Sequence, residues 1–290
     1  MRKNPMLAIF TTVFIDLLGF GILIPVFPLL ITDGPFRVTP DGWSFTQGMI
    51  MLGWLQAIYP FCMFIAAPIL GQLSDRHGRR PVLALSIFGT AIGYVLFAIG
   101  ISTGNLPLLF AARGLDGLTG GNLAVAQAAI GDISTHENRA KNFGYMGAAF
   151  GMGFIVGPYL GGKLSSPSVS FYGLFDTPHW FGATTPFWFA AVLALLNCTA
   201  VLTTFPETIK EKFHGGKIRV GQSLNNVVNG FKSDRLRVIL LSSFLFSAGF
   251  TFFTTFFGVY LRNKFSFSSS KIGDYFAIVG LCIALSQGLV

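Results

Sequence analysis

The run Gly71-Gln72-Leu73-Ser74-Asp75-Arg76-His77-Gly78-Arg79-Arg80 lies between two long apolar stretches. It gathers two glycines, one acid and three arginines in a chain where only 11% of residues are charged. A segment this short cannot fold alone. It must turn sharply between two membrane helices while pinning their ends with charge. Gly71 and Gly78 are expected to supply the turn. Asp75 can accept hydrogen bonds from N–H groups at a nearby helix end, and Arg79 or Arg80 can pair with an acid on a neighbouring helix. Together with Arg76, these residues form a candidate latch for one conformation. The alternative, a purely topogenic basic loop, explains the arginines but not the glycines or the acid.

Composition points to the same class. Hydrophobic residues make up 52% of the 290 and mean hydropathy is +0.63, too little polar surface to cover a soluble globule. Lipid is the expected main solvent. The 32 phenylalanines suit lipid-facing surfaces, and the 35 glycines suit close helix packing in a bilayer. A net charge of +8 raises nucleic acid as a partner, but the distribution of the charge argues against it.

Apolar spans run near 6–31, 49–70, 81–101, 106–130, 143–162, 186–204, 238–261 and 272–290, each close to the roughly 20 residues that cross a hydrocarbon core as helix. Lys and Arg number 14 in the N-terminal tail and in 71–80, 132–142 and 205–237, but five in 32–48, 163–185 and 262–271. The positive-inside rule therefore puts the N-terminus in the cytoplasm of a multi-pass protein of the cytoplasmic membrane. The first span follows Arg2 and Lys3, is too long for a signal-peptide core and lacks a small-residue cleavage site, so it is expected to be retained.

The chain divides into a six-helix bundle over 1–204, a cytoplasmic linker over 205–237, and two further helices over 238–290. The linker opens with Glu207, Lys210, Glu211 and Lys212 and loosens at Gly215-Gly216. Within it, Val220, Leu224, Val227, Val228 and Phe231 recur at helical spacing before Lys232, Arg235 and Arg237. That pattern suits an amphipathic helix on the membrane surface or a partly disordered connector. Cys62, Cys198 and Cys282 fall in spans without metal spacing and read as packing residues. With no metal-ligand cluster and no nucleotide-binding Gly-x-x-x-x-Gly-Lys-Ser/Thr loop, no cofactor is expected.

Three ionisable residues inside spans carry the functional expectation. Asp16 lies halfway along the first span with no basic neighbour within a helical turn; a carboxylate so placed is costly to keep charged and is the first choice for proton carrier. A packing role through a hydrogen bond to another helix is the alternative. Gly19, Gly21, Pro25 and Pro28 follow it and weaken the helix. Arg113, a cation inside a span, costs about 3 kcal/mol or more on insertion scales and needs a polar cavity or partner. Asp116 is three residues on, and Gly120, Ala124 and Gln127 continue that face, so the stripe is expected to look into an aqueous cavity; Arg113 and Asp116 could instead neutralise one another. The fifth span carries Gly147 and Gly151, then Gly153, Gly157 and Gly161 with Pro158. It is expected to form a packing seam against the second half.

The 71–80 segment continued by Pro81-Val82-Leu83 closely resembles the loop signature between the second and third helices of the major facilitator superfamily. Arg113-Gly114-Leu115-Asp116-Gly117, Gly157-Pro158-Tyr159-Leu160-Gly161-Gly162 and Asp16-Leu17-Leu18-Gly19-Phe20-Gly21 fall in the matching order, and together they resemble the twelve-helix drug:proton antiporters of tetracycline-resistance type. The resemblance implies an all-α membrane fold of two six-helix bundles, the second incomplete here with four helices absent, so that the sequence is expected to be a fragment of a longer protein. It also implies proton-coupled export of a small amphipathic organic compound, by a monomer in the lipid bilayer, through alternating access. Asp16, Arg113 and Asp116 would couple the proton, the 71–80 loop would latch the outward-facing state, and the fifth-span glycines mark exporters over importers. A proton symporter or facilitator importing a small organic solute is the alternative; an enzyme is not expected. The chain departs from the tetracycline pattern at Gly93, where an acid would stand before Tyr94, and at Ile283, where a histidine would stand. Those departures favour a different cargo. Phe20 and Tyr59, with Phe14, Phe27 and Gln127, are expected at the cavity.

Overall fold

Residues 5–32, 34–171, 175–209 and 221–288 are described by a computed structural model. In chain order the first helices are α1 (Pro5–Ile31), α2 (Phe45–His77), α3 (Arg79–Ser102), α4 (Leu106–Thr119), α5 (Asn122–Ile133), α6 (Arg139–Leu164) and α7 (Thr185–Thr204). Then come α8 (Gln222–Lys232), α9 (Asp234–Phe265) and α10 (Ser269–Gly288). The only strands among the described residues are β1 (Ser170–Phe171) and β2 (Phe175–Asp176), a two-stranded antiparallel hairpin between α6 and α7. The protein is an all-α, multi-pass integral membrane protein: α1, α2, α3, α6, α7 and the stretch 236–265 of α9 are each long and apolar enough to cross a bilayer.

The fourth expected span is two helices. Gly120 and Gly121 hold ψ near 0° (4° and 3°), which unwinds the α-helix between α4 and α5. The cause is close approach to α2. A methyl group built on Gly121 would lie 2.6 Å from Leu70 Cδ1 and 3.0 Å from Ala67 Cα, and one on Gly120 would lie 2.8 Å from the Tyr59 hydroxyl.

The 71–80 segment also differs from expectation. α2 continues through His77, so Gly71 is helical, has nothing near its missing side chain and makes no turn. Gly78 alone separates α2 from α3, with φ 109° in the region that side chains rarely adopt.

The packing order is α1 on α6 and α7, α3 on α4 and α7, α2 on α4, and α6 on α10. Ile9, Ile22 and Leu30 of α1, Leu52 and Leu55 of α2, and the tilted pair Phe97–Phe187 (centroids 4.7 Å apart) form the buried centre. α8 packs on α9 and α2 and leaves Val227, Val228 and Phe231 exposed, so 222–232 of the linker is helical. Arg2, Lys3, Lys210, Glu211, Lys212, Gly215, Gly216 and Val220 lie outside the described residues, as do the side chains of Leu224 and Arg235. Cys198 is buried and donates to the Ala84 carbonyl at 3.4 Å, whereas Cys62 is half-buried and Cys282 exposed.

Candidate functional site

Asp16 lies on the wall of a cavity of about 320 Å³ between α1, α2, the α4–α5 break, α6 and α9. Among the described residues lining it, Asp16 carries the one charged side chain. Its Oδ2 accepts a 2.5 Å hydrogen bond from Asn122 Nδ2. Asn122 is the first residue of α5, immediately after the Gly120-Gly121 break, so the unwinding that relieves the α2 contact also aims this amide at Asp16. Sequence reading missed Asn122; its one signal was a polar residue directly behind paired glycines in a span.

Phe20 and Tyr59 line the same cavity, with Phe150 and Phe154 of α6 and Phe246 and Phe250 of α9. Three expected wall residues do not. Phe27 is buried in the core and Phe14 stacks on Phe10 at 6.5 Å, both on other faces of α1. Gln127 is exposed, one turn beyond the wall residue Leu123, because the break at Gly120-Gly121 interrupts the continuous helical stripe that would have carried it inward.

Arg113 and Asp116 are not on the cavity wall either. They are 3% and 6% exposed and face one another, Arg113 Nη1 donating to Asp116 Oδ2 at 3.2 Å. Arg113 Nη2 donates to Gln56 Oε1 at 3.4 Å, and the guanidinium sits 4.6 Å from the centroid of the Tyr59 ring. Tyr59 thus stands between this pair and the cavity, touching both. A cation so deeply placed is tolerated because a carboxylate, an amide and an aromatic face replace its water. Gly93 explains the fit of Asp116: a methyl group at Gly93 would lie 3.1 Å from Asp116 Cβ, so α4 supplies a carboxylate beside the place on α3 where the resemblance led one to expect an acid. Next to it, Tyr94 is buried with its hydroxyl against Gly19 of α1, a contact that any side chain at Gly19 would block.

At the α2–α3 turn, Arg79 is the centre of a charged cluster. Its guanidinium meets Asp75 at 2.6 Å and Asp132 of α5 at 2.9 Å, and donates to Ser74 Oγ at 2.6 Å. Asp75 therefore pairs with Arg79 and does not cap a helix end. That task falls to Glu207, just after α7, whose carboxylate accepts from the backbone N–H groups of Arg79 (2.8 Å) and Arg80 (3.3 Å). It lies against Gly78, where a side chain would collide with it. Arg76 sits half-buried in the last turn of α2. Glu207 was read from sequence only as linker charge, since its partners are 127 and 128 residues away. Glu207→Ala should leave the start of α3 uncapped and lower stability by about 1 kcal/mol, seen as a lower unfolding midpoint in detergent; an unchanged midpoint would show the cap contributes nothing.

The glycine seam of α6 faces α1 more than the second half. Methyl groups at Gly153, Gly157 and Gly161 would lie 2.6, 2.7 and 2.5 Å from Leu17 Cβ, the Leu18 carbonyl oxygen and the Ile22 carbonyl oxygen. The contact with α10 uses the neighbouring edge: Gly273 approaches the Pro158 carbonyl and Gly162. Gly151 only touches Ala284 at ordinary distance, and Gly147 meets nothing. The edge shift follows from helical geometry, since Gly153, Gly157 and Gly161 share one four-residue ridge and Pro158 and Gly162 lie one residue round.

Beside Gly162, Lys163 is almost buried and reaches across to α10, donating to Ser270 Oγ at 2.8 Å and Asp274 Oδ2 at 3.1 Å. Arg262 of α9 donates to Thr32 Oγ1, just past α1, at 3.0 Å. These polar bridges join the two sets of helices at the end of the molecule opposite the Arg79 cluster. Among the described residues, no group of three or more His, Cys, Asp and Glu side chains is arranged to hold a metal.

A profile of the Major Facilitator Superfamily matches residues 9–290. Two similar curated proteins are the class H tetracycline resistance protein of Pasteurella multocida, 30% identical over 100% of this chain, and the class C protein of Escherichia coli, 33% identical over 99% of it. The chain spans 66% of the length of each of these relatives. In solved structures, a human organic anion transporter superposes with a TM-score of 0.70 at 24% identity, over 98% of this chain and 71% of that one, a likeness of fold. That superfamily is one of transporters and not of enzymes, and this chain belongs to it.

Proposed function

We propose that the protein is a proton-coupled antiporter that exports a small amphipathic organic compound across the cytoplasmic membrane, working as a monomer with its N-terminus in the cytoplasm. The observation that carries this reading is the Asp16 carboxylate on an aromatic cavity wall, with Asn122 as its hydrogen-bond partner. Ionised, Asp16 accepts from Asn122 and from a donor on the cargo. Protonated, it loses its charge and offers the cargo less, so proton and cargo compete for one group. Arg113 and Asp116 act from behind Tyr59, as a fixed charge pair that holds the wall in place and couples it to α2.

In this reading residues 1–204 and 238–290 belong to two bundles that rock about the cavity, joined by the linker 205–237. The Lys163–Asp274 bridge holds the extracytoplasmic end closed, and the 71–80 segment, whose Arg79 contacts here stay within the first set of helices, latches the outward-facing arrangement through a further contact with the second set made in that state. Lys163→Met should open the extracytoplasmic end more often. Because Asp274 is partly exposed, the effect is about 1 kcal/mol, or roughly a fivefold faster reaction of a cysteine placed at Thr251 with an impermeant maleimide added from outside. An unchanged rate would remove the bridge from the gate.

The function itself is tested in vesicles containing the full-length protein, by following pH while cargo is added on one side. Opposite movement of protons and cargo supports antiport. Movement in the same direction would replace this reading by uptake symport, which shares the fold.

A further inference from the structure

α6 and α10 pack closely because glycines meet along their contact. A methyl group on Gly273 would lie 2.5 Å from the Pro158 carbonyl oxygen, and one on Gly280 would lie 3.0 Å from Ile155 Cγ1. With the backbones so near, larger side chains beside the contact wall a groove of about 660 Å³ that shares no residue with the Asp16 cavity. Ile155 and Val156 of α6 and Ala277, Ile278 and Leu281 of α10 make its apolar part. It opens outward, since Ile278 and Leu281 are exposed. Tyr159, Lys163, Ser170 and Asp274 make its polar end.

Charge and apolar surface are ordered along the groove. Ile155 comes eight residues before Lys163 and Leu281 seven after Asp274. At about 1.5 Å per residue, the apolar part extends about 10–12 Å inward from the two charges. That is most of the depth of one leaflet, whose hydrocarbon is about 15 Å thick. A soluble ion has no use for such a length of apolar wall; an acyl chain does.

The charged end is a matched pair. Lys163 Nζ donates to Ser270 Oγ and Asp274 Oδ2 and lies 5.4 Å from the centroid of the Tyr159 ring, leaving one of its three N–H groups for a further acceptor. Asp274 Oδ1 has no partner among the described residues, on a side chain that is 42% exposed. The pair is formally neutral, with one donor and one acceptor to offer. A headgroup carrying a phosphate and a primary ammonium complements both. A choline headgroup has no N–H for Asp274, and a glycerol headgroup adds a negative charge with no ammonium to meet the carboxylate.

We infer that the α6–α10 groove is a binding site for a phospholipid with an ethanolamine headgroup, its ammonium on Asp274, its phosphate on Lys163 and one acyl chain along Ile155, Ile278 and Leu281. The lipid belongs to the leaflet at that end of the molecule, the outer one in the orientation proposed above. It touches both sets of helices and so adds to the contact between them.

The test is native mass spectrometry of purified full-length protein in detergent, titrated with palmitoyl-oleoyl phosphatidylethanolamine, phosphatidylcholine and phosphatidylglycerol. The ethanolamine lipid should bind about fivefold more tightly than the other two, as suits one partly exposed charge-assisted contact. Asp274→Asn should bring it down to the level of phosphatidylcholine, and Asp274→Glu should keep the preference. Ile278→Trp, which fills the groove from an exposed position, should weaken the ethanolamine lipid, whereas Leu85→Trp on an exposed face of α3 should not. Equal binding of the three lipids, preference for phosphatidylglycerol, or a preference that survives Asp274→Asn would overturn the inference. So would Ile278→Trp without effect, the result expected if another part of the full-length chain covers the groove.

Discussion

Asp16→Asn is expected to abolish transport driven by a pH gradient while leaving cargo able to bind and to exchange for cargo. Asparagine keeps the shape of the side chain and can still hydrogen-bond with Asn122, which donates to Asp16 at 2.5 Å, so the wall of the cavity should keep its form. What it loses is the ability to take up and release a proton. If that proton is what makes the empty and loaded carriers energetically equivalent, the gradient no longer biases the cycle. Gradient-driven accumulation should then fall by roughly a hundredfold, the upper end of coupling between two sites, whereas exchange without a gradient should change only a few-fold. Equal loss of both would mean that Asp16 has a packing role.

Gly161→Val should have the largest structural effect. The added Cβ would stand 2.5 Å from the Ile22 carbonyl oxygen and 2.8 Å from Ile22 Cα, both backbone atoms in the middle of α1 that no rotamer change can move. α1 and α6 would have to separate along a ridge that also includes Gly157 against Gly21 and Gly153 against Leu17. Overpacking of this kind costs about 3 kcal/mol where the neighbours cannot yield. The variant should express poorly and unfold at a clearly lower temperature in detergent. Gly147→Ala is the matched control, since nothing lies near its missing side chain; it should be neutral or slightly stabilising by roughly 0.5–1 kcal/mol through helix propensity. Equal behaviour of the two variants would show that the α1–α6 contact does not depend on glycine.

The spans were legible because apolar length is a one-dimensional property, and most of the eight apolar stretches end near a helix end, although 49–70 stops well short of the end of α2 at His77 and 106–130 covers both α4 and α5. Charge within a span was legible too: Asp16, Arg113 and Asp116 were singled out by cost alone, and each has a polar partner in the structure. Direction was harder to read. A stripe drawn through Arg113, Asp116, Gly120, Ala124 and Gln127 assumes one unbroken helix, and the glycine pair that lets α4 and α5 lie on α2 breaks it. Which edge of a helix meets which neighbour is equally hidden in periodicity, so the Gly153–Gly157–Gly161 ridge was assigned to the second half when its partner is α1. Contacts far apart in sequence were invisible altogether. Glu207 at the start of α3, Asn122 on Asp16, and Lys163 on Asp274 are polar pairings made only when separate helices are brought together. The two glycines of the 71–80 segment look alike in sequence, yet only Gly78 adopts the backbone angle that requires one.

Proton release on cargo binding tests the central claim most directly. A weakly buffered solution of purified full-length protein at neutral pH, titrated with a panel of amphipathic aromatic compounds, should acidify in proportion to the cargo bound, and Asp16→Asn should bind without acidifying. Binding with no proton release from the unaltered protein, or release that persists in Asp16→Asn, would contradict the account and place proton coupling elsewhere in the chain.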